Sequence, residues 1–186
     1  MSKKFWPWLA MLAVTLAAAF QLGRQGRAWF CDCGRVLLWT SEAWSANTSQ
    51  HLSDPYSFTH VLHGFVFCGL LAWGAARLSW PWRLWLAVSA EALWEIAENT
   101  EFVVRRYREN TMALGYEGDT IFNSLGDILA CALGFLLARR LGWRRSLAVF
   151  VLTEIVLLFW IRDSLLLSVL MLIYPSDALR AWQAGH

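Results

Sequence analysis

Five apolar segments, each close to the ~20 residues a helix needs to cross a hydrocarbon layer, constrain this chain more than any other feature. They cover about 6–22, 57–78, 83–104, 119–138 and 146–161. In lipid the backbone must satisfy its own N–H and C=O groups, so such segments form helices. The chain therefore reads as all-α: one polytopic membrane helix bundle over residues 1–186, with five transmembrane helices. Composition agrees. Apolar residues make up 58% and charged residues 16%, against ~45–50% and ~25% in soluble domains. Thirteen tryptophans fit a chain with membrane interfaces. A net charge of +2 gives no sign of a nucleic-acid partner; the expected partner is the lipid bilayer.

After Arg162 and Asp163 comes "SLLLSVLMLIYP". Residues 164–174 are too short for an ordinary span. They read as a re-entrant helix, an interfacial helix, or a sixth span completed across the Arg-Asp pair. The start, "MSKKFWPWLAMLAVTLAAAF", has the basic end and small residues of a signal peptide. It is read here as an uncleaved first span, because the later segments are also membrane-like. The basic clusters Lys3-Lys4 and "RRLGWRR" predict a cytoplasmic amino terminus in a bacterial inner membrane, with the long connection 23–56 outside.

Three of the segments carry polar stripes. His60 and His63 are i, i+3 neighbours; Glu91, Glu95 and Glu98 fall at i, i+4 and i+7; Asp119, Asn123 and Asp127 fall at i, i+4 and i+8. Each set occupies one helix face. The alternating direction of the spans puts all three faces in the same half of the bilayer. An ionised acid at the centre of a membrane helix costs ~2.5–3.5 kcal/mol, so five such groups must face the bundle interior or a wet vestibule, be partly protonated, or be paired.

Imidazole with carboxylate suits Zn²⁺, Mn²⁺ or Fe²⁺, and facing helices of a bundle commonly build such centres. The spacing predicts a divalent-metal site from His60, His63, Glu91, Asp119 and Asp127. Glu95 or Glu98 would be the general base for a bound water. Asn123, Arg105 and Arg162 would bind substrate, the arginines holding a phosphate. This gives a metal-assisted hydrolase or transferase acting on a lipid or lipid-linked substrate. Two alternatives stay open: a proton- or cation-coupled transporter component, and a non-catalytic assembly factor whose polar network only ties helices together. The sequence has no HExxH and no ExxH motif, so the metal rests on convergence alone.

Outside the spans, "FCDCG" sets Cys31 and Cys33 at a spacing tight for a disulfide, with soft-metal binding and redox exchange as other readings. His51 approaches the membrane on the side of the cluster. It joins the two cysteines as a candidate outer ligand. Cys68 and Cys131 read as packing residues.

The motifs "CDCGRVLLW", "SQHLSDPYSFTHVLHGFVF", "EALWEIAENTEFVVRRYREN", "GYEGDTIFNSLGD" and "IRDSLLLSVLMLIYP" occur in that order. Together they resemble a bacterial multi-pass membrane family, the uncharacterised protein family 0314, with domain of unknown function 2585. The resemblance runs from about residue 20 to the end. It implies a cell-membrane location and a multi-span helical fold. It supplies no activity or catalytic residues.

Overall fold

The computed structural model describes residues 5–45, 47–110 and 116–185. They form eight helices and no strand: α1 (Trp6–Arg24), α2 (Ser57–Gly74), α3 (Trp80–Glu98), α4 (Glu101–Asn110), α5 (Ile121–Leu141), α6 (Trp143–Trp160), α7 (Leu165–Ile173) and α8 (Asp177–Ala184). Lys3 and Lys4, which bear on orientation, lie outside the described residues.

Helix α5 is the hub. It packs on α1, α2, α3 and α6. Its small residues let neighbours approach closely, the usual device for packing helices in lipid. A Cβ on Gly134 would sit 2.1 Å from the carbonyl oxygen of Val61, and one on Gly64 would sit 2.1 Å from that of Cys131. The α2–α5 pair is therefore in backbone contact. Ala18, Leu84, Ala87, Val88, Ala92, Ile128 and Phe135 fill the core beside it.

The end of α1, the start of α2, the end of α3 and the start of α5 gather at one end of the bundle. Hydrogen bonds join them: Gln25 Nε2 donates to Ile96 O at 3.1 Å, Ile121 N to Ala28 O at 2.9 Å and Thr120 N to Ser49 O at 3.0 Å. The connection 25–56 covers this end.

Three helices, α1, α2 and α5, are long and apolar enough to cross a membrane, and α6 with α7 makes a fourth if that bent pair is one span. Five were expected. Helix α3 misses because Arg83, Glu91, Glu95 and Glu98 lower its hydropathy. The expected third segment, 83–104, is two helices that part at Asn99 and Thr100. The Asn99 Nδ2 donates both to the Glu95 carbonyl of α3 at 3.1 Å and to Asp119 Oδ2 at 2.7 Å, and the Thr100 carbonyl accepts from Val104 N at 3.0 Å to begin α4. The break falls in the polar stretch "ENTE", residues 98–101, with the apolar "FVV" beyond it in α4.

Helix α6 ends at Trp160 and α7 turns away by 71°. The polar groups at this break serve it locally. Glu154 accepts from the N–H groups of Leu165 at 2.9 Å and Leu166 at 3.1 Å, Ser164 Oγ accepts from Leu167 N, and Asp163 accepts from Ser164 N at 2.8 Å. The orphan donors and positive end of α7 are thus met by carboxylates. At its other end, Arg106 of α4 donates to the carbonyls of Leu172 and Ile173. Glu154→Ala is expected to destabilise the protein by about 1–2 kcal/mol, the usual worth of a helix N-cap, read as a lower midpoint of thermal unfolding in detergent.

Candidate functional site

Three helices bring their polar faces together beneath the covered end. From α2 come His60 and His63, from α3 Glu91, Glu95 and Glu98, and from α5 Asp127. Glu91 is fully buried and central. Its Oε1 lies 2.6 Å from His60 Nδ1 and 3.0 Å from His63 Nδ1, and its Oε2 is also 3.0 Å from His63 Nδ1. A carboxylate that accepts at Nδ1 fixes the tautomer and aim of both rings, leaving the second nitrogen of each for other work. His60 Nε2 faces Asp127 Oδ2 at 3.9 Å, and Asp127 Oδ1 accepts from Ser57 Oγ at 2.7 Å. Trp94 stands against the His63 ring.

Glu95 differs from Glu91. It too is fully buried, and His60 Nδ1 lies 3.3 Å from its Oε1. Neither of its oxygens has a well-directed hydrogen bond, and Glu98 Oε2 is likewise buried without one. Buried polar atoms are normally paired, so three orphan carboxylate oxygens side by side mark a place where a donor or cation belongs. His60, Glu95 and Glu98 each offer a ligand atom, and these atoms lie within 4.8 Å of one another; His60, His63 and Glu91 do the same.

A second polar knot sits nearer the covering segment. Asn99 Nδ2 donates to Asp119 Oδ2 at 2.7 Å, Asp119 N donates to Asn99 Oδ1 at 2.7 Å, and Tyr116 OH donates to Asp119 Oδ1 at 2.8 Å. Burial first, then the Asp119 and Glu98 carboxylates, hold the Tyr116 phenol well above its ordinary pKa, so it remains a donor. Burial and Glu98 do the same for Tyr107, which hydrogen-bonds Glu98. Both knots border one cavity of about 910 Å³, walled by His60, His63, Glu98, Asp119 and Asp127 and by apolar groups such as Trp44 and Val169. That volume suits a ligand of drug size or more.

The comparisons settle the family. The family model "Protein of unknown function (DUF2585)" matches residues 22–185. The chain belongs to this family. Similar UPF0314 proteins occur in Rhizobium meliloti (46% identical over 177 residues, 95% of this chain and 90% of the relative), Paracoccus denitrificans (46% over 178 residues, 96% and 92%) and Sphingopyxis alaskensis (43% over 178 residues, 96% and 95%). No solved structure matches.

In this UPF0314 chain several expected assignments move. Asp119 belongs to the Asn99–Tyr116 knot rather than to the histidine cluster. Asn123 does not enter the cavity wall; its Nδ2 donates to the His51 carbonyl at 2.8 Å and so ties the covering segment to α5. Arg105 is exposed on α4 and Arg162 donates to Trp182 O at 2.8 Å, so neither borders the cavity. Nor do Arg162 and Asp163 turn toward each other. The basic side chain at the cavity is Arg27, just past α1, which donates to the Glu117 carbonyl. Its place was not legible, because nothing in its spacing ties it to the stripes. Cys131, which reads as packing, is buried. Cys31 and Cys33 are joined as a disulfide at the cavity rim.

Proposed function

We propose that this UPF0314 chain is a membrane-embedded, divalent-metal-dependent hydrolase or transferase for a lipid-linked substrate. One observation carries the reading: buried oxygens of Glu95 and Glu98 that lack a directed hydrogen bond, beside His60 in an acid-rich site. In low dielectric, uncompensated carboxylates cost several kcal/mol each, and a cation relieves that cost. His60, Glu95 and Glu98 hold Zn²⁺, Mn²⁺ or Fe²⁺, and the metal supplies Lewis acidity to a bound water or phosphoryl oxygen. Glu91 positions both imidazoles. His63 borders the cavity with Nδ1 held by Glu91, and acts as general base rather than Glu95 or Glu98. Arg27 meets an anionic head group. The apolar wall accepts the adjoining chain of an amphiphile. The amino terminus is cytoplasmic, and the cavity opens on the outer side of the bacterial inner membrane.

The test uses metal-loaded protein in vesicles of phosphatidylethanolamine and phosphatidylglycerol doped with a polyprenyl diphosphate. Released phosphate and head groups are followed by mass spectrometry. Turnover is expected in wild type and a loss of about 10²–10⁴-fold in His63→Gln, the usual reach of a general base, with metal retained. Equal, background release from wild type and variant would overturn the enzymatic reading.

A further inference from the structure

The covering segment carries a second group of metal-ligating side chains, chemically unlike the first. Cys31 and Cys33 occupy a tight turn in which Gly34 N donates to Cys31 O at 3.2 Å and Gly34 has φ +73°, a conformation that glycine adopts freely. The turn sets both sulfurs at the cavity rim. His51 comes from the far end of the same segment. Both sulfurs and one His51 ring nitrogen lie within 4.8 Å of one another. His51 is 2% exposed, and its Nδ1 is buried with no hydrogen-bond partner.

The backbone around His51 is firmly held. Its carbonyl accepts from Asn123, Ser49 N donates to Asp54 Oδ2 at 2.7 Å, and Gln50 Nε2 donates to Gly118 O at 3.0 Å. Burial pushes the Asp54 carboxyl up despite its two backbone donors, which shows how closed this packing is. An imidazole fixed so securely beside two sulfurs, with a buried Nδ1 that has no hydrogen-bond partner, needs a reason.

We propose that the reduced Cys31–Cys33 pair and His51 form a separate site for a soft monovalent cation, Cu(I), at the cavity rim. Two thiolates and one imidazole make a soft, three-donor set. Cu(I) accepts that number, whereas structural Zn²⁺ asks for four donors. The disulfide is the closed form of the site. A phosphine reductant opens it: the S–S bond breaks, the phosphine is oxidised to its oxide with oxygen from water, and the two protons of that water give two thiols. Cu(I) then displaces the thiol protons to solvent. The site goes beyond the proposed enzymatic centre and shares no ligand with it.

The experiment titrates full-length detergent-purified protein with Cu(I) under anaerobic conditions, against the chromophoric chelator bathocuproine disulfonate. Phosphine-reduced and oxidised wild type are compared with Cys31→Ser/Cys33→Ser, His51→Ala and His60→Ala/His63→Ala. About one Cu(I) per chain is expected in reduced wild type and none competing in oxidised wild type, since the thiolate is the ligand. His51→Ala is expected to weaken binding at least ~10-fold, the scale seen when a ligand environment is lost. His60→Ala/His63→Ala is expected to bind as wild type does, which separates this site from the other cluster. The proposal is overturned if reduced wild type binds no more tightly than oxidised wild type or the double-serine variant. It is equally overturned if His51→Ala keeps full affinity, or if binding is lost with His60 and His63 but kept without the cysteines. The reduced–oxidised comparison needs no substitution, so a misfolded variant does not obscure the result.

Discussion

Glu95→Gln is expected to weaken metal binding by about 100-fold or more while leaving the metal-free protein as stable as wild type, or more stable. The two effects part because Glu95 has two roles with opposite signs. As a ligand it contributes a charged oxygen that an amide replaces poorly. In the metal-free fold it is a fully buried carboxylate with no directed hydrogen bond, so removing its charge removes a desolvation penalty. A purely structural network makes the other forecast, a large loss of stability on breaking a buried ionic contact. Isothermal titration with Zn²⁺ and Mn²⁺, paired with chelator-treated thermal unfolding, reads both effects on one preparation. Glu91→Gln is the informative companion. Glu91 accepts from both imidazoles, so its replacement is expected to destabilise the metal-free fold as well.

The second large effect comes from packing. Gly64→Val and Gly134→Val are each expected to destabilise the protein by about 3 kcal/mol or more, at or beyond the upper end of ordinary overpacking. The obstacle in both cases is backbone, which cannot rotate away: the Cys131 carbonyl for Gly64 and the Val61 carbonyl for Gly134, each 2.1 Å from the new Cβ. Helices α2 and α5 must separate, and His60 and Asp127 separate with them. Gly69 is the control. It lies on the same helix with nothing within 4 Å of an added Cβ, and Gly69→Ala is expected to stabilise α2 by roughly 0.5–1 kcal/mol through helix propensity. Unfolding midpoints in detergent, with metal removed from all three variants, check the order.

The stripes on α2, α3 and α5 were legible because helical spacing alone fixes which side chains share a face. His60, His63, Glu91, Glu95, Glu98 and Asp127 do meet. The all-helical class was legible too, since apolar length is a local property, but the division of the chain into eight helices was not. What failed to show was set by contacts between distant parts of the chain. Asn99, at the end of α3, bonds Asp119, twenty residues away, and α3 and α4 part there inside a segment expected to be one span. Asp119 looked like a ligand from its place on the stripe, yet Tyr116 and Asn99 claim it. Arg105 and Arg162 read as phosphate-holding from sequence, which does not say which way a side chain points: Arg105 is exposed on α4 and Arg162 turns to Trp182 of α8. Tyr107, Tyr116, Arg27 and Ser57 enter the site from loops and helix ends, where no period announces them. Glu154 and Asp163 are the partners of a helix start created by the bend, a role that local spacing does not announce.

The division of the acids into partnered and orphaned groups is the core of the functional reading. Glu91, Asp119 and Asp163 have their donors. Glu95 and Glu98 Oε2 have no directed hydrogen bond, and Glu95 Oε1 lies 3.3 Å from the Nδ1 of an imidazole that Glu91 holds in place. Metal analysis by inductively coupled plasma mass spectrometry tests this most directly, comparing detergent-purified wild type with a Glu95→Gln/Glu98→Gln variant of equal fold. The account expects about one equivalent of Zn, Mn or Fe per wild-type chain, three protein donors leaving an open position for water, and little in the variant. A well-folded wild type that carries no metal, and takes up none when incubated with each of the three ions, would contradict it.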